Sequence, residues 1–292
     1  MTADGELRYD VLVSDLAPVK DAPLPNGQAA HWSPLSHTLI HGPSSAAVVA
    51  PPITRTQSAA LAEWITARGK RLKYIFITHA HGDHWLGTRE LLRHFPDAVA
   101  LAAPGTAQRI KDSTANGSLP QLWPALFPEQ LDTDAARIAI DHAPADGFTV
   151  DGYLLMPLDV GHSDTDDTSI LHVPSLGLVV AGDVVYNNVH QYLAETPNGG
   201  LQAWHKALDA VAALKPRYVV AGHKDAGRRD APADIDATRR YLDDTARLLE
   251  ASSTPHEFFT RVLKHCPDRL NPYTLWLSAR QLLNDTAAQP SS

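Results

Sequence analysis

The run Thr78-His79-Ala80-His81-Gly82-Asp83-His84 places three imidazoles and one carboxylate in a single short segment. Side chains two apart in an extended stretch point the same way, so His79 and His81 can converge on one point. Asp83 and His84 follow where a polar turn leads toward a helix, and they can face a second point beside the first. Imidazole suits zinc, and a carboxylate adds a hard oxygen ligand that lowers the positive charge of such a site. The alternative is a solvated polar turn with no ligand role. Against it, the run directly follows a strand-like stretch at residues 74–77, and a His-x-His-x-Asp-His match seldom arises by chance there.

Three shorter patterns lie downstream, each closing a β-like run. They are Gly161-His162-Ser163, Ala181-Gly182-Asp183 after residues 178–181, and Ala221-Gly222-His223 after residues 218–220. Alone, each is ordinary turn chemistry or a hydrogen-bonded loop histidine. Together, at successive strand ends, they are candidates for one constellation.

The elements that must position them are legible from apolar period and punctuation. Residues 7–12, 37–40 and 46–50 read as strands, the last two as a pair. A helix is expected over residues 56–68, with Thr54 and Gln57 at capping-box spacing and Gly69 where a C-cap belongs. Residues 86–95 read as a second helix stopped by Pro96, residues 99–102 as a strand, and a third helix starts near Pro104. Residues 116–130 carry prolines and aromatics and suit an inserted lid-like loop or a core-packing loop. Residues 136–185 read as a meander of β runs, 201–214 as a helix and 218–221 as a last strand. Helical spacing resumes beyond Pro232. Strands and helices in this order point to a layered α/β sandwich spanning residues 1–232, with a helical extension at 233–292 packed on it or standing as a partly independent appendage.

Composition narrows the function classes. A hydrophobic fraction of 44% over 292 residues supplies one large core, and a net charge of -8 offers no basic footprint for a nucleic-acid backbone. The single cysteine, Cys266, excludes an intrachain disulfide and Cys-x-x-Cys metal sites. No apolar stretch is long enough for a bilayer, and the acidic amino terminus does not read as a secretory signal. The expectation is a cytoplasmic protein acting on a small molecule, with no nucleic-acid or membrane partner; the sequence leaves its oligomeric state open.

Thr-His-Ala-His-Gly-Asp-His resembles the signature of the metallo-β-lactamase superfamily, and the three later patterns resemble its remaining ligand motifs in family order, over roughly residues 39–224. The resemblance implies a four-layer αββα sandwich and two divalent metal ions, with zinc expected and iron or manganese as alternatives. It implies that His79, His81 and His162 hold one metal, that Asp83, His84 and His223 hold the other, and that Asp183 bridges. Many β-lactamases of the superfamily use a cysteine at the bridging position and carry an export signal. This chain looks closer to the glyoxalase II, lactonase and esterase branches. Ala50 stands where relatives often have an aspartate, which puts a supporting contact in doubt.

The implied activity is cleavage of an ester, thioester or lactone, with Asp83 and Asp183 orienting the nucleophile and passing a proton to the leaving group. Tyr186, three residues after Asp183, resembles a lactonase tyrosine that donates to the substrate carbonyl; a tyrosine packed at a strand end is the alternative. His190 and Tyr192 are candidate pocket residues, and Trp85 reads as core. The acidic run Asp164, Asp166 and Asp167 reads as a solvated turn, or as a source of a hydrogen bond to His162. Two related activities compete: a mononuclear iron persulfide dioxygenase using only the first metal site, and a phosphodiesterase or nuclease, against which the acidic balance argues.

Overall fold

A computed structural model describes residues 5–20, 22–115, 123–131 and 138–283. Among the described residues, eleven strands form two sheets. The first contains β1 (Arg8–Val13), β2 (Ser36–His41), β3 (Ser45–Val49), β4 (Arg71–Ile77), β5 (Val99–Ala102) and β6 (Asp141–His142), in that spatial order. Its first three strands pair antiparallel and the rest parallel, with Ile77 beside Ala102 at the end of β4. The second runs β11-β10-β9-β8-β7, comprising β7 (Phe148–Val150), β8 (Tyr153–Gly161), β9 (Thr168–Val173), β10 (Leu178–Asn187) and β11 (Tyr218–Lys224). Only β10 and β11 pair parallel in it.

The sequence period explains the layers. Along β4, Phe76 faces inward and packs with Ile40, Val49 and Leu101 against Leu155, Leu171, Val180 and Val220 of the other sheet. Its neighbour Ile75 faces outward with Val48, under Leu61 and Ile65 of α1 (Arg55–Thr66) and Leu91 of α2 (Thr88–His94). Val179, Ala181 and Val219 point out of the second sheet, toward Trp204, Leu208 and Val211 of α4 (Gly200–Ala213). Strands buried on both faces have to be apolar throughout, which is why β3 and β10 read as continuous runs instead of alternating ones. The helix α3 (Pro104–Ala115) follows β5. The result is the αββα arrangement that the resemblance implied.

Local signals mostly fall where expected. Thr54 Oγ1 accepts from the Gln57 amide at 3.2 Å and the Gln57 side chain accepts from the Thr54 amide, closing the capping box of α1. The second helix starts later than residue 86: Gly82–His84 forms a single tight turn first, with the His84 amide donating to the His81 carbonyl. Trp85 is fully buried, its indole N–H donating to the Ala80 carbonyl at 3.1 Å.

Beyond β11 come α5 (Ala233–Glu250), α6 (Pro255–His265) and α7 (Pro272–Leu282). Tyr241, Leu242, Phe258, Val262 and Leu275 share one apolar cluster with Val184 and Trp204. The part of residues 116–130 that precedes Trp123 lies outside the described residues, as do residues 136 and 137 of the expected meander. Trp123 and Phe127 are buried and pack as a core element, with Trp32 edge-on to both. No described helix is long and apolar enough to cross a membrane.

Candidate metal centre

The segment after β4 and the ends of β10 and β11 meet at one edge of the two sheets. Backbone contacts fasten them together: the Ser169 amide donates to the Thr78 carbonyl at 2.8 Å, and Ser36 of β2 donates its hydroxyl to the Ala221 carbonyl. At Gly182 (φ +51°) the register between β10 and β11 shifts, and this irregularity re-aims Asp183 into the gap between the sheets. A side chain at Gly182 would press on Thr78, and one at Gly222 would stand 2.0 Å from Asp183 Oδ1. Both glycines are there because the strands approach so closely.

Among the described residues, three overlapping groups of buried or half-buried ligand atoms result: His79, His84 and Asp183; Asp83, His84 and His223; and His79, His81 and Asp164. Asp183 reaches both sides, with Oδ1 3.3 Å from His84 Nε2 and Oδ2 3.3 Å from His223 Nε2. Asp83 Oδ2 lies 3.3 Å from His223 Nε2 and accepts from the Trp32 indole at 2.8 Å. His79 Nε2, His84 Nε2, Asp164 Oδ2 and Asp183 Oδ1 are buried without a hydrogen-bond partner. A buried polar atom left unpaired costs about 1–3 kcal/mol, so several in one place fit a set awaiting a cation. Three of the imidazoles are held by their opposite ring nitrogen, His79 Nδ1 with Thr78 Oγ1, His81 Nε2 with Glu195 and His223 Nδ1 with the Pro34 carbonyl, whereas neither ring nitrogen of His84 has such a partner. Such outer contacts orient metal-binding imidazoles.

The electrostatics have one theme, burial opposed by close partners. Burial alone would raise the Asp183 carboxyl, but His223 and His84 hold it well below the usual range. Burial would suppress the charge of His223, yet Asp183 and Asp83 push its imidazole up to about 10. His79 is held well below its ordinary value by burial and by neighbouring His84. Burial and the adjacent Asp183 raise the Tyr186 phenol well above its usual range.

Of the residues singled out from sequence, His79, His81, Asp83, His84, Asp183 and His223 come together. His162 does not join them. Its Nδ1 bonds Asp166 at 2.7 Å and its ring lies against Gly200, where a Cβ would stand 2.7 Å from Nε2. The place expected for it beside His79 and His81 holds Asp164, whose carboxylate is fully buried. The acidic run is therefore split: Asp164 faces the cluster, whereas Asp166 and Asp167 are half-exposed and pair with Arg109.

Tyr186 borders the cleft, but its hydroxyl donates to Asp183. His190 points away, bonding Tyr241, whereas Tyr192 does line the cleft. Sequence reasoning missed Trp32 and Glu195. Both sit in irregular segments without a motif, and only packing brings them to the site. Ala50 contributes its carbonyl to His37, whose ring is buried beneath the cluster side of β2.

The cluster floors a cleft of about 350 Å³ walled by Trp32, Trp123, Tyr192 and Leu277, with Arg109 and Glu195 as polar members. The size suits a small organic molecule.

A two-sheet α/β sandwich carrying a buried histidine–aspartate cluster at one sheet edge defines the class of protein. The model of the metallo-β-lactamase superfamily matches residues 52–223, more than half of the chain, and the chain belongs to that superfamily. Solved structures share the fold. The metallo-β-lactamase FIM-1 from Pseudomonas aeruginosa, in a mono-zinc form, superposes with a TM-score of 0.55 at 18% identity, over 82% of this chain and 91% of that one. The metallo-β-lactamase DIM-1 gives 0.59 at 16% identity, over 84% and 99%. A hydroxyacylglutathione hydrolase from Synechococcus sp. (strain CC9902) is 45% identical over 49 residues, which span 17% of this chain and only 19% of that protein.

Proposed function

We propose that this chain is a metal-dependent hydrolase cleaving an ester, thioester or lactone at a pair of divalent cations. His79 and His81 would hold one, Asp83, His84 and His223 would hold the other, and Asp183 is within reach of both sets. The observation that carries the reading is the set of buried, unpartnered nitrogen and oxygen atoms converging at the floor of a cleft. Bound cations would supply a hydroxide nucleophile by lowering the pKa of water from about 15.7 to about 7, and an electrophile for the carbonyl oxygen.

The chain's own residues do the rest. Asp183 is kept ionised by its histidine neighbours and oriented by Tyr186. Asp83, steadied by the Trp32 indole, faces the cleft and is placed to orient the attacking water and return a proton to the leaving alkoxide or thiolate. The aromatic walls exclude water from the acyl group and favour an apolar substrate body. The short identity to a hydroxyacylglutathione hydrolase favours an ester-type bond over a phosphodiester.

The test is metal content of the chain purified without added metal, together with turnover of a panel. The panel holds acyl-homoserine lactones, S-lactoylglutathione, aryl esters, a chromogenic cephalosporin and bis-nitrophenyl phosphate. Metal-dependent turnover of a lactone, thioester or ester is expected. One iron per chain, oxygen uptake with glutathione persulfide and no hydrolysis of any member would replace this reading with a dioxygenase.

A further inference from the structure

The segment that leaves β10 carries a second tyrosine to the cleft. Around Tyr192 the chain is fastened from behind. The His190 amide donates to the Leu270 carbonyl at 2.9 Å, the Gln191 side chain to the Thr238 carbonyl at 3.4 Å, and the Leu193 amide to Ser278 Oγ at 2.9 Å. His190, Gln191 and Leu193 are buried, whereas Tyr192 is half-buried and lines the cleft. Thr238 belongs to α5 and Ser278 to α7, so the helical extension fixes the backbone that carries this side chain. The Tyr192 ring stands perpendicular to that of His81, with centroids 5.3 Å apart.

The two tyrosines of the cleft differ in what their hydroxyls do. Tyr186 gives its proton to Asp183. Among the described residues the Tyr192 hydroxyl makes no hydrogen bond. Burial raises this phenol above its ordinary value of 10, and the charges of His81, Glu195, Asp164 and Asp83 all reach it. The hydroxyl is therefore within range of both sides of the cluster, and it is protonated at neutral pH. A donor held by packed backbone and left without a partner is what a reaction that builds negative charge on an oxygen can use.

We infer that Tyr192 is a catalytic residue whose hydroxyl donates a hydrogen bond to the acyl oxygen of the substrate, more strongly as that oxygen becomes an oxyanion. The inference rests on the hydrolase reading of the cleft. It also gives the helical extension a part in the reaction, since α5 and α7 hold the residues on either side of the donor.

The experiment uses the full, metal-loaded chain with 4-nitrophenyl butyrate and with the ester, thioester or lactone that wild type turns over fastest. Butylboronic acid and butyrate serve as inhibitors. Tyr192→Phe removes one oxygen atom that bonds nothing among the described residues, so metal content and melting temperature are expected to match wild type. Its kcat should fall roughly 100-fold with KM within about threefold, as when one oxyanion donor is lost. Butylboronic acid, which adds hydroxide to become a tetrahedral anion, should bind more weakly by a similar factor, while butyrate should inhibit as before. An unchanged kcat, a change confined to KM, or equal weakening of both inhibitors would overturn the inference and leave the hydrolase reading standing. A variant that loses metal or does not fold would show Tyr192 to be structural and overturn it too. A wild type that hydrolyses no ester, thioester or lactone removes the hydrolase reading and this inference with it.

Discussion

Tyr186 Oη donates to Asp183 Oδ2 across 2.6 Å, and both side chains are buried, so the phenolic proton is committed to the carboxylate at the centre of the cluster. A tyrosine whose proton is spent there acts on a substrate only through Asp183. Tyr186→Phe is expected to weaken metal binding and turnover together, each by roughly 10- to 100-fold. Elemental analysis at limiting metal, beside kcat and KM, checks this. Unchanged metal affinity with a selective loss of lactone turnover would instead indicate direct contact with substrate.

Gly222 leaves space for Asp183. A methyl group there would overlap Asp183 Oδ1 at 2.0 Å, with backbone of Gly182 also within 3 Å. Gly222→Ala should displace the carboxylate and lower turnover by roughly 100-fold or more, with the far-UV circular dichroism retained. An active Gly222→Ala variant would mean that the site tolerates a shifted Asp183.

Trp32 joins packing to electrostatics, since its ring meets Trp123 edge-on at 4.9 Å while its N–H donates to Asp83. Trp32→Phe keeps most of the apolar contact and removes the donor. It should lower kcat about 10-fold with little change in melting temperature, whereas Trp32→Ala should lower both, by less than the about 3–5 kcal/mol of truncating a fully buried aromatic, because Trp32 is partly exposed.

Chelation should destabilise the fold. Asp83, Asp164 and Asp183 are buried together, and an ion that binds only the folded chain stabilises it by about 4 kcal/mol at a thousandfold excess over its dissociation constant. Melting curves after EDTA treatment should shift down and return on readdition of a divalent ion in proportion to its logarithmic concentration. A melting temperature indifferent to chelator and ion would argue against a built-in metal site.

Away from the site, burial, with Arg269 adding to it, lowers the His190 imidazole from 6.5 to about 3. Below about pH 6.5 the unfolded chain takes up a proton that the folded chain refuses. Stability therefore falls with falling pH, by up to about 1.4 kcal/mol per unit from this group, until about pH 3. His190→Gln removes the titration and can still bond Tyr241. Between pH 7 and pH 5 wild type should lose about 2 kcal/mol more than the variant in denaturant titrations, and parallel losses would show that His190 is charged in the folded protein.

Much of the architecture is legible in local chemistry. The apolar runs of β3, β4, β10 and β11, the Thr54–Gln57 box of α1 and the Pro-initiated helices α3, α6 and α7 are signals carried by neighbouring residues. The His79–His84 run is of the same kind: a two-residue period and a tight turn settle where its side chains go. The ends of β10 and β11 are equally local, which is why Asp183 and His223 arrive where their motifs suggest.

What only the tertiary structure decided is which side chain of a loop turns inward. Sequence makes residues 161–168 a polar turn beside a strand end, with the ligand role expected of His162 and a solvated turn or a hydrogen bond to His162 expected of the acidic residues beside it. The choice is made at a distance, by Gly200 giving the His162 ring a niche, by Arg109 and Asp166 pinning it there, and by Ser169 and Glu195 seating the loop against Thr78 and His81. Trp32 reaches Asp83 by the same kind of long-range packing. Periodicity reports only the contacts a residue makes within its own element; a turn's facing is set by whichever remote surfaces it closes upon, and those are written many positions away.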